Sequence, residues 1–111
     1  MRPTHVTAAA ALLALTLTAC GSSEEPADPA MLDSSAKLAC SDFASGYKAA
    51  QTTSARVDLA NKVNKWAQDS ATNGIADNAT ALARGSEGGP DAWQLGADAF
   101  AQACLDAGWK G

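Results

Sequence analysis

The chain has 111 residues, and its 12 acidic side chains outnumber its 8 lysines and arginines, which gives a net charge of −4. This balance excludes a basic nucleic-acid-binding domain, and no polybasic cluster is present that would bind anionic lipid headgroups. From Ser34 onward seven basic and eight acidic residues remain, so most of the negative charge lies nearer the N-terminus.

The first twenty residues have the three parts of an export signal: Arg2, an apolar run at 8–17, and small residues before a cysteine. A membrane-spanning helix needs ~20 apolar residues, so we expect this shorter run to be a removed signal. The sequence Leu17-Thr18-Ala19-Cys20 resembles the lipobox of bacterial lipoproteins. The resemblance implies that residues 1–19 are removed by cleavage before Cys20. It also implies that Cys20 is lipidated by acyl chains such as palmitate. An ordinary secretory signal that ends near a cysteine is the alternative.

Residues 20–33 are poor in side chains that could form a core and include Glu24, Pro26 and Pro29. A segment of this composition cannot offset its ordering entropy by burial. We therefore predict a flexible, lipid-anchored tether over 20–33 and a single folded domain over 34–111. Such a domain is near the lower size limit at which one hydrophobic core is sufficient.

Apolar stripes with helical spacing predict an all-α domain of about four helices, and no stretch reads as a strand. Asp33 or Ser34 can cap the first helix, and Pro90 suits the first turn of the last because it lacks an amide hydrogen. Gly85 is expected to end the third helix, and Gly108 to take a left-handed conformation after the fourth. The predicted helices are Ser34 to Gln51, Ala55 to Ser70, Ile75 to Arg84, and Pro90 to just before Gly108.

Two cysteines remain once Cys20 is assigned to the lipid: Cys40 on the predicted first helix and Cys104 on the last. Exported proteins lie where disulfides form and persist, and an even pair fits one bridge. We therefore predict a Cys40–Cys104 disulfide that places the first and last helices side by side. Two buried free thiols are the alternative.

The sequence offers little catalytic chemistry. Its single histidine, His5, lies in the predicted leader, so the mature chain would have no Ser-His or Cys-His pair and no imidazole ligand for zinc. Asp91 and Asp98 lie about two turns apart on the predicted fourth helix, too far to share a proton. Residues 69–80 match a calcium loop only in part, since the third-position ligand and the final glutamate are missing. We expect no enzymatic activity, no metal and no cofactor.

The larger aromatic side chains are few. Phe43, Trp93 and Phe100 lie on the predicted stripes, where large residues are needed to fill a core made mainly of alanine. Three others lie near helix ends or stripe margins and are candidates for a partner-binding surface, since Trp and Tyr dominate binding hot spots. These are Tyr47, Trp66 and Trp109, and core packing is the alternative for each.

The predicted function is a non-enzymatic interaction module on the extracytoplasmic face of the cell membrane, which binds an envelope protein or an exported peptide. Its Ala-, Asp- and Gly-rich composition resembles small lipoproteins of high-GC actinobacteria, a likeness that implies no specific activity. One alternative is a structural or envelope-homeostasis role without a dedicated ligand. Another is a surface protein of a mobile element that excludes superinfecting phage. An enzyme of unfamiliar type is disfavoured by the lack of a base or a nucleophile.

Overall fold

A computed structural model describes residues 28–111. The predicted signal peptide at 1–19, the predicted lipidation of Cys20 and the first part of the predicted tether lie outside the described residues. Residues 28–111 form four α-helices without a strand, which confirms the all-α prediction. The helices are α1 (Ser34–Gly46), α2 (Thr53–Ala67), α3 (Ile75–Ser86) and α4 (Pro90–Asp106). In this part of the chain none of the helices combines the length and the hydropathy that crossing a bilayer requires.

Short polar side chains and glycines set the helix boundaries. The Asp33 carboxylate accepts a hydrogen bond from the Ala36 amide at 2.8 Å and caps α1. The Thr52 hydroxyl accepts one from the Ala55 amide at 3.1 Å and caps α2. Each cap satisfies an amide that has no partner within its helix. Pro90 occupies the first turn of α4, as predicted.

Three of the predicted helix ends are wrong. The second helix ends at Ala67 instead of Ser70. The first helix ends at Gly46 instead of Gln51, because the chain must turn and become extended at Thr52 before α2 starts. The third helix continues through Gly85 to its end at Ser86. A Cβ atom at Gly85 would lie 2.5 Å from the Ala92 carbonyl oxygen, so this glycine allows α3 and α4 to approach closely.

The end of α4 confirms the predicted left-handed glycine. Gly108 has a φ of +99°. Its amide donates to the Leu105 carbonyl at 3.0 Å, and the Trp109 amide donates to the Cys104 carbonyl at 2.9 Å. These two bonds satisfy carbonyls of the last turn in a Schellman motif, which turns Trp109 back toward the bundle.

The helices form a bundle in which each packs against the next along the chain, while α1 and α4 meet over only a few residues. The core is built largely from alanines with a few large side chains, among them Phe43, Trp93 and Phe100. The predicted disulfide between Cys40 and Cys104 is present and joins α1 to α4, with the two Cα atoms 6.0 Å apart. Both sulfurs belong to the buried core.

The described chain begins at one end of this bundle, which we call the proximal end. There the Pro29 carbonyl accepts from the Asn73 amide at 2.8 Å, so residues 29–33, assigned to the tether from sequence, are held against the α2–α3 loop. The C-terminus of α4 lies at the same end, since Pro29 and Ala107 line one small cavity. The opposite, distal end carries the α1–α2 and α3–α4 turns.

Candidate functional site

An open groove runs along the bundle between α1 and α4. Its volume is about 210 Å³, and nearly all of its lining is apolar. Because α1 and α4 contact each other over few residues, their facing sides are left open to solvent beside the disulfide. The residues that line this α1–α4 groove are Cys40, Phe43, Ala44, Tyr47, Lys48, Ala101, Cys104, Leu105 and Trp109.

The groove has a rigid floor and small side chains on its walls. Cys40, Phe43 and Cys104 are buried and form the floor, where the disulfide fixes the distance between the two helices. Ala44 on α1 and Ala101 on α4 line opposite walls. Since alanine side chains are short, they leave space that longer residues would fill.

Tyr47 closes the groove toward the distal end. Its hydroxyl donates to the Gln94 amide oxygen at 2.8 Å, which links the end of α1 to the first turns of α4. Its ring centroid lies 5.3 Å from that of Phe43 and 6.2 Å from that of Trp93, nearly parallel to the latter. Tyr47 is therefore held in one orientation by both its polar and its apolar parts.

Trp109 lies at the proximal end of the groove and packs partly against the core. Leu105, one turn earlier, also lines the groove and is 56% exposed. Large apolar side chains with this exposure are ordinary when isolated, but here Leu105 adjoins an apolar depression. The groove thus has aromatic residues at both ends and an accessible leucine on its α4 wall.

The structure brings together two of the three aromatic residues proposed from sequence. Tyr47 and Trp109 line the α1–α4 groove, whereas Trp66 lies outside it in the last turn of α2. Sequence reasoning missed Leu105 and Lys48. Leu105 directly follows Cys104 but does not belong to the predicted apolar stripe of the fourth helix. A large apolar residue beside the stripe was the one sign in the sequence that this face of the helix lines a groove.

A second, polar cleft begins where the groove ends. It has a volume of about 400 Å³ and shares Tyr47 and Lys48 with the groove. The Arg56 guanidinium lies 5.9 Å from the Trp93 ring centroid, and its Nε donates to the Ala50 carbonyl at 3.0 Å. The cation is therefore positioned by stacking and by a hydrogen bond.

Residues 28–111 offer neither a metal-binding cluster nor a free thiol. The carboxylates and cysteines of residues 28–111 form no group of three that could hold a metal ion. Both cysteines of this part of the chain are joined in the disulfide, so neither offers a thiolate. The groove presents apolar area between the aromatic side chains of Tyr47 and Trp109.

Comparisons with family models, with curated proteins and with solved structures find no match to this chain. The fold and its groove define the class: a small, disulfide-linked four-helix domain with an open apolar surface.

Proposed function

We propose that this protein is an exported lipoprotein, anchored through Cys20, whose helical domain binds an apolar segment of another extracytoplasmic protein in the α1–α4 groove. The observation that carries the binding role is the groove itself. It is apolar, it lies beside a fixed disulfide, and it ends at Tyr47 and Trp109. The lipobox-like Leu17-Thr18-Ala19-Cys20 supports the anchor.

The dimensions of the groove favour a short amphipathic helix as its occupant. From Cys40 on α1 to Tyr47, which caps the end of that helix, the lining rises ~10 Å at 1.5 Å per residue. A helix that docks in a groove uses side chains at i, i+3 or i+4, and i+7, which span ~10 Å. Apolar cavities of ~150 Å³ hold a benzene ring, so the groove has room for at least one large apolar side chain.

The test is site-specific photocrosslinking in membranes of the native host. A photoreactive residue at Ala44, an exposed position on the groove wall, should yield one dominant crosslinked protein. The same residue at Leu95, which is 74% exposed and lies outside the groove, is the control and should yield none. Leu105→Glu should abolish the crosslink at Ala44, because a carboxylate is costly to bury in an apolar contact.

The result that contradicts the binding role is equally specific. A diffuse set of crosslinked proteins, the same at Ala44 and Leu95, would favour a structural role in the envelope. A dominant crosslink that persists with Leu105→Glu would place the partner on another surface. Since Leu105 is 56% exposed, its substitution should leave the fold intact, which circular dichroism can verify.

A further inference from the structure

An exposed methionine and a half-buried tryptophan lie at the end of the bundle where the described chain begins. Met31 is 62% exposed at the proximal end. Trp109 is half-buried there and lines a shallow depression with Leu32 and the exposed Lys37 and Lys110. Met31 belongs to the segment that the α2–α3 loop holds, because its carbonyl accepts from the Thr72 hydroxyl at 2.8 Å.

The length of the preceding chain determines which end of the domain lies near the anchor. Seven residues separate Cys20 from Asp28. Fully extended, this connection reaches at most ~27 Å at ~3.4 Å per residue. The 17 residues of α4 are ~25 Å long. A lipid on Cys20 is therefore always close to the proximal end, whereas the distal end approaches it only with the connection stretched along the whole bundle.

We infer that the proximal end rests on the lipid surface, with Met31 and Trp109 entering the interface between headgroups and acyl chains. This inference rests on the proposed lipidation of Cys20. Tryptophan is enriched at membrane interfaces because its ring is apolar and its N–H can remain hydrated. The flexible thioether of methionine adapts to irregular apolar surroundings.

The contact is apolar rather than electrostatic. Lys37 and Lys110 are exposed near Trp109, but the carboxylates of Asp28 and Asp106 lie at the same end of the bundle. Their charges largely cancel, so attraction to anionic headgroups is small. The contact should therefore persist in 1 M salt, where charge interactions are screened within ~3 Å.

The test measures tryptophan fluorescence of the full lipidated protein in phosphatidylcholine liposomes whose acyl chains carry bromine, a short-range quencher. A Trp66→Phe parent retains only Trp93 and Trp109. Trp93 is 3% exposed and lies near the distal end, so it serves as the internal control. The parent should be quenched, and the further substitution Trp109→Phe should remove most of the quenchable fluorescence.

A matched pair of charge substitutions tests the contact without removing a tryptophan. Met31→Glu should lower the quenching of Trp109 in the parent several-fold, because a carboxylate opposes insertion into the interface. Leu95→Glu changes an exposed leucine on the first half of α4 and should leave quenching unchanged.

The outcomes separate this inference from the proposed function. Acylation at Cys20 together with equal quenching of Trp109 and Trp93 would overturn the lipid contact and leave the anchor standing. Equal effects of Met31→Glu and Leu95→Glu would overturn it as well. Absence of acylation would contradict both, since no anchor would then hold the proximal end near lipid.

Discussion

Asp33 joins three parts of the chain through a single carboxylate. One oxygen accepts from the Ala36 amide and from the Ser70 hydroxyl, each at 2.8 Å, and the other accepts from the Ala71 amide at 2.8 Å. Partial burial, the largest single effect, raises the pKa of Asp33, but these hydrogen bonds to the charged form together lower it below its ordinary value of 3.8. The carboxylate thus fixes the start of α1 against the α2–α3 loop.

This arrangement predicts a pH-dependent contribution to stability. The pKa of Asp33 is lower in the folded state than in the unfolded chain. The stabilisation by its charged carboxylate is therefore fully present at pH values above the ordinary pKa, and it is lost as the pH falls through the lower pKa of the folded state. Asp33→Asn should lower the free energy of unfolding by ~1–2 kcal/mol at pH 7, because the NH₂ group that replaces the second carboxylate oxygen is a donor and cannot accept from the Ala71 amide. Urea unfolding at a series of pH values should show this difference shrinking as the pH falls from about 5 toward 2.

The control for Asp33 is the other helix cap. Thr52→Ala removes the hydroxyl that accepts from the Ala55 amide and should cost ~1 kcal/mol. Since a threonine hydroxyl does not titrate, this cost should not change between pH 7 and pH 3. A cost for Asp33→Asn that is equally constant would contradict the role assigned to the Asp33 charge.

At the scale of the elements, two helical glycines are expected to differ in their tolerance of a methyl group. A Cβ at Gly85 would lie 2.5 Å from the Ala92 carbonyl oxygen, and backbone atoms of α4 cannot move aside easily. A Cβ at Gly46 would lie 2.7 Å from Leu59 Cδ1, the end of a flexible side chain. Gly85→Ala should therefore lower the free energy of unfolding by ~1–3 kcal/mol through overpacking.

The comparison variant is Gly46→Ala. Its steric cost is partly offset by the ~0.5–1 kcal/mol by which alanine favours a helix over glycine. The two proteins should consequently separate clearly in urea unfolding, with Gly85→Ala the less stable. Equal stability, or the reverse order, would show that α3 and α4 are not packed as closely as the structure has them.

The disulfide is expected to make a large contribution because few other contacts join α1 to α4. Cys40 and Cys104 are 64 residues apart, and closing a loop of that length restricts the unfolded chain by ~4 kcal/mol on the entropy model. The double variant Cys40→Ala with Cys104→Ala should lose a comparable amount in urea unfolding. A loss below ~1 kcal/mol would mean that packing alone holds the two helices together.

The helices were predictable where a local signal sufficed. Apolar spacing located all four, and Asp33, Pro90 and Gly108 act at helix ends as expected from their side chains. Gly85 misled the prediction because a glycine that ends a helix and one that admits a neighbouring helix are alike in sequence. The α1–α4 groove was not predictable, since it depends on how far two helices distant in the chain diverge beside their disulfide.

At the scale of the whole molecule, the proposed anchor and the disulfide can be checked in one experiment. Protein purified from membranes should have the mass of residues 20–111 plus acyl chains, less the two hydrogens lost in the Cys40–Cys104 bond. No thiol should react with an alkylating agent before reduction, and two should react after it. A mass that retains Met1 would contradict the anchor, whereas two thiols that react at once would contradict the disulfide.

The length of the connection between Cys20 and Asp28 should control how often the proximal end meets the lipid. The end-to-end distance of a flexible chain grows as the square root of its residue number. The connection from Cys20 to Asp28 has eight Cα-to-Cα steps, so adding 20 Gly/Ser residues would extend this distance from ~16 Å to ~30 Å. Only the distance along the membrane normal matters for contact with a flat surface, so the local concentration of the domain at the lipid falls with the inverse of this reach, by roughly half. Insertion after Ala27 should thus reduce the quenching of Trp109 by brominated lipid. The control adds the same 20 residues after Gly111, which lengthens the chain but not the connection, and it should reduce the quenching less. Equal quenching in both proteins would show that the connection does not determine the contact.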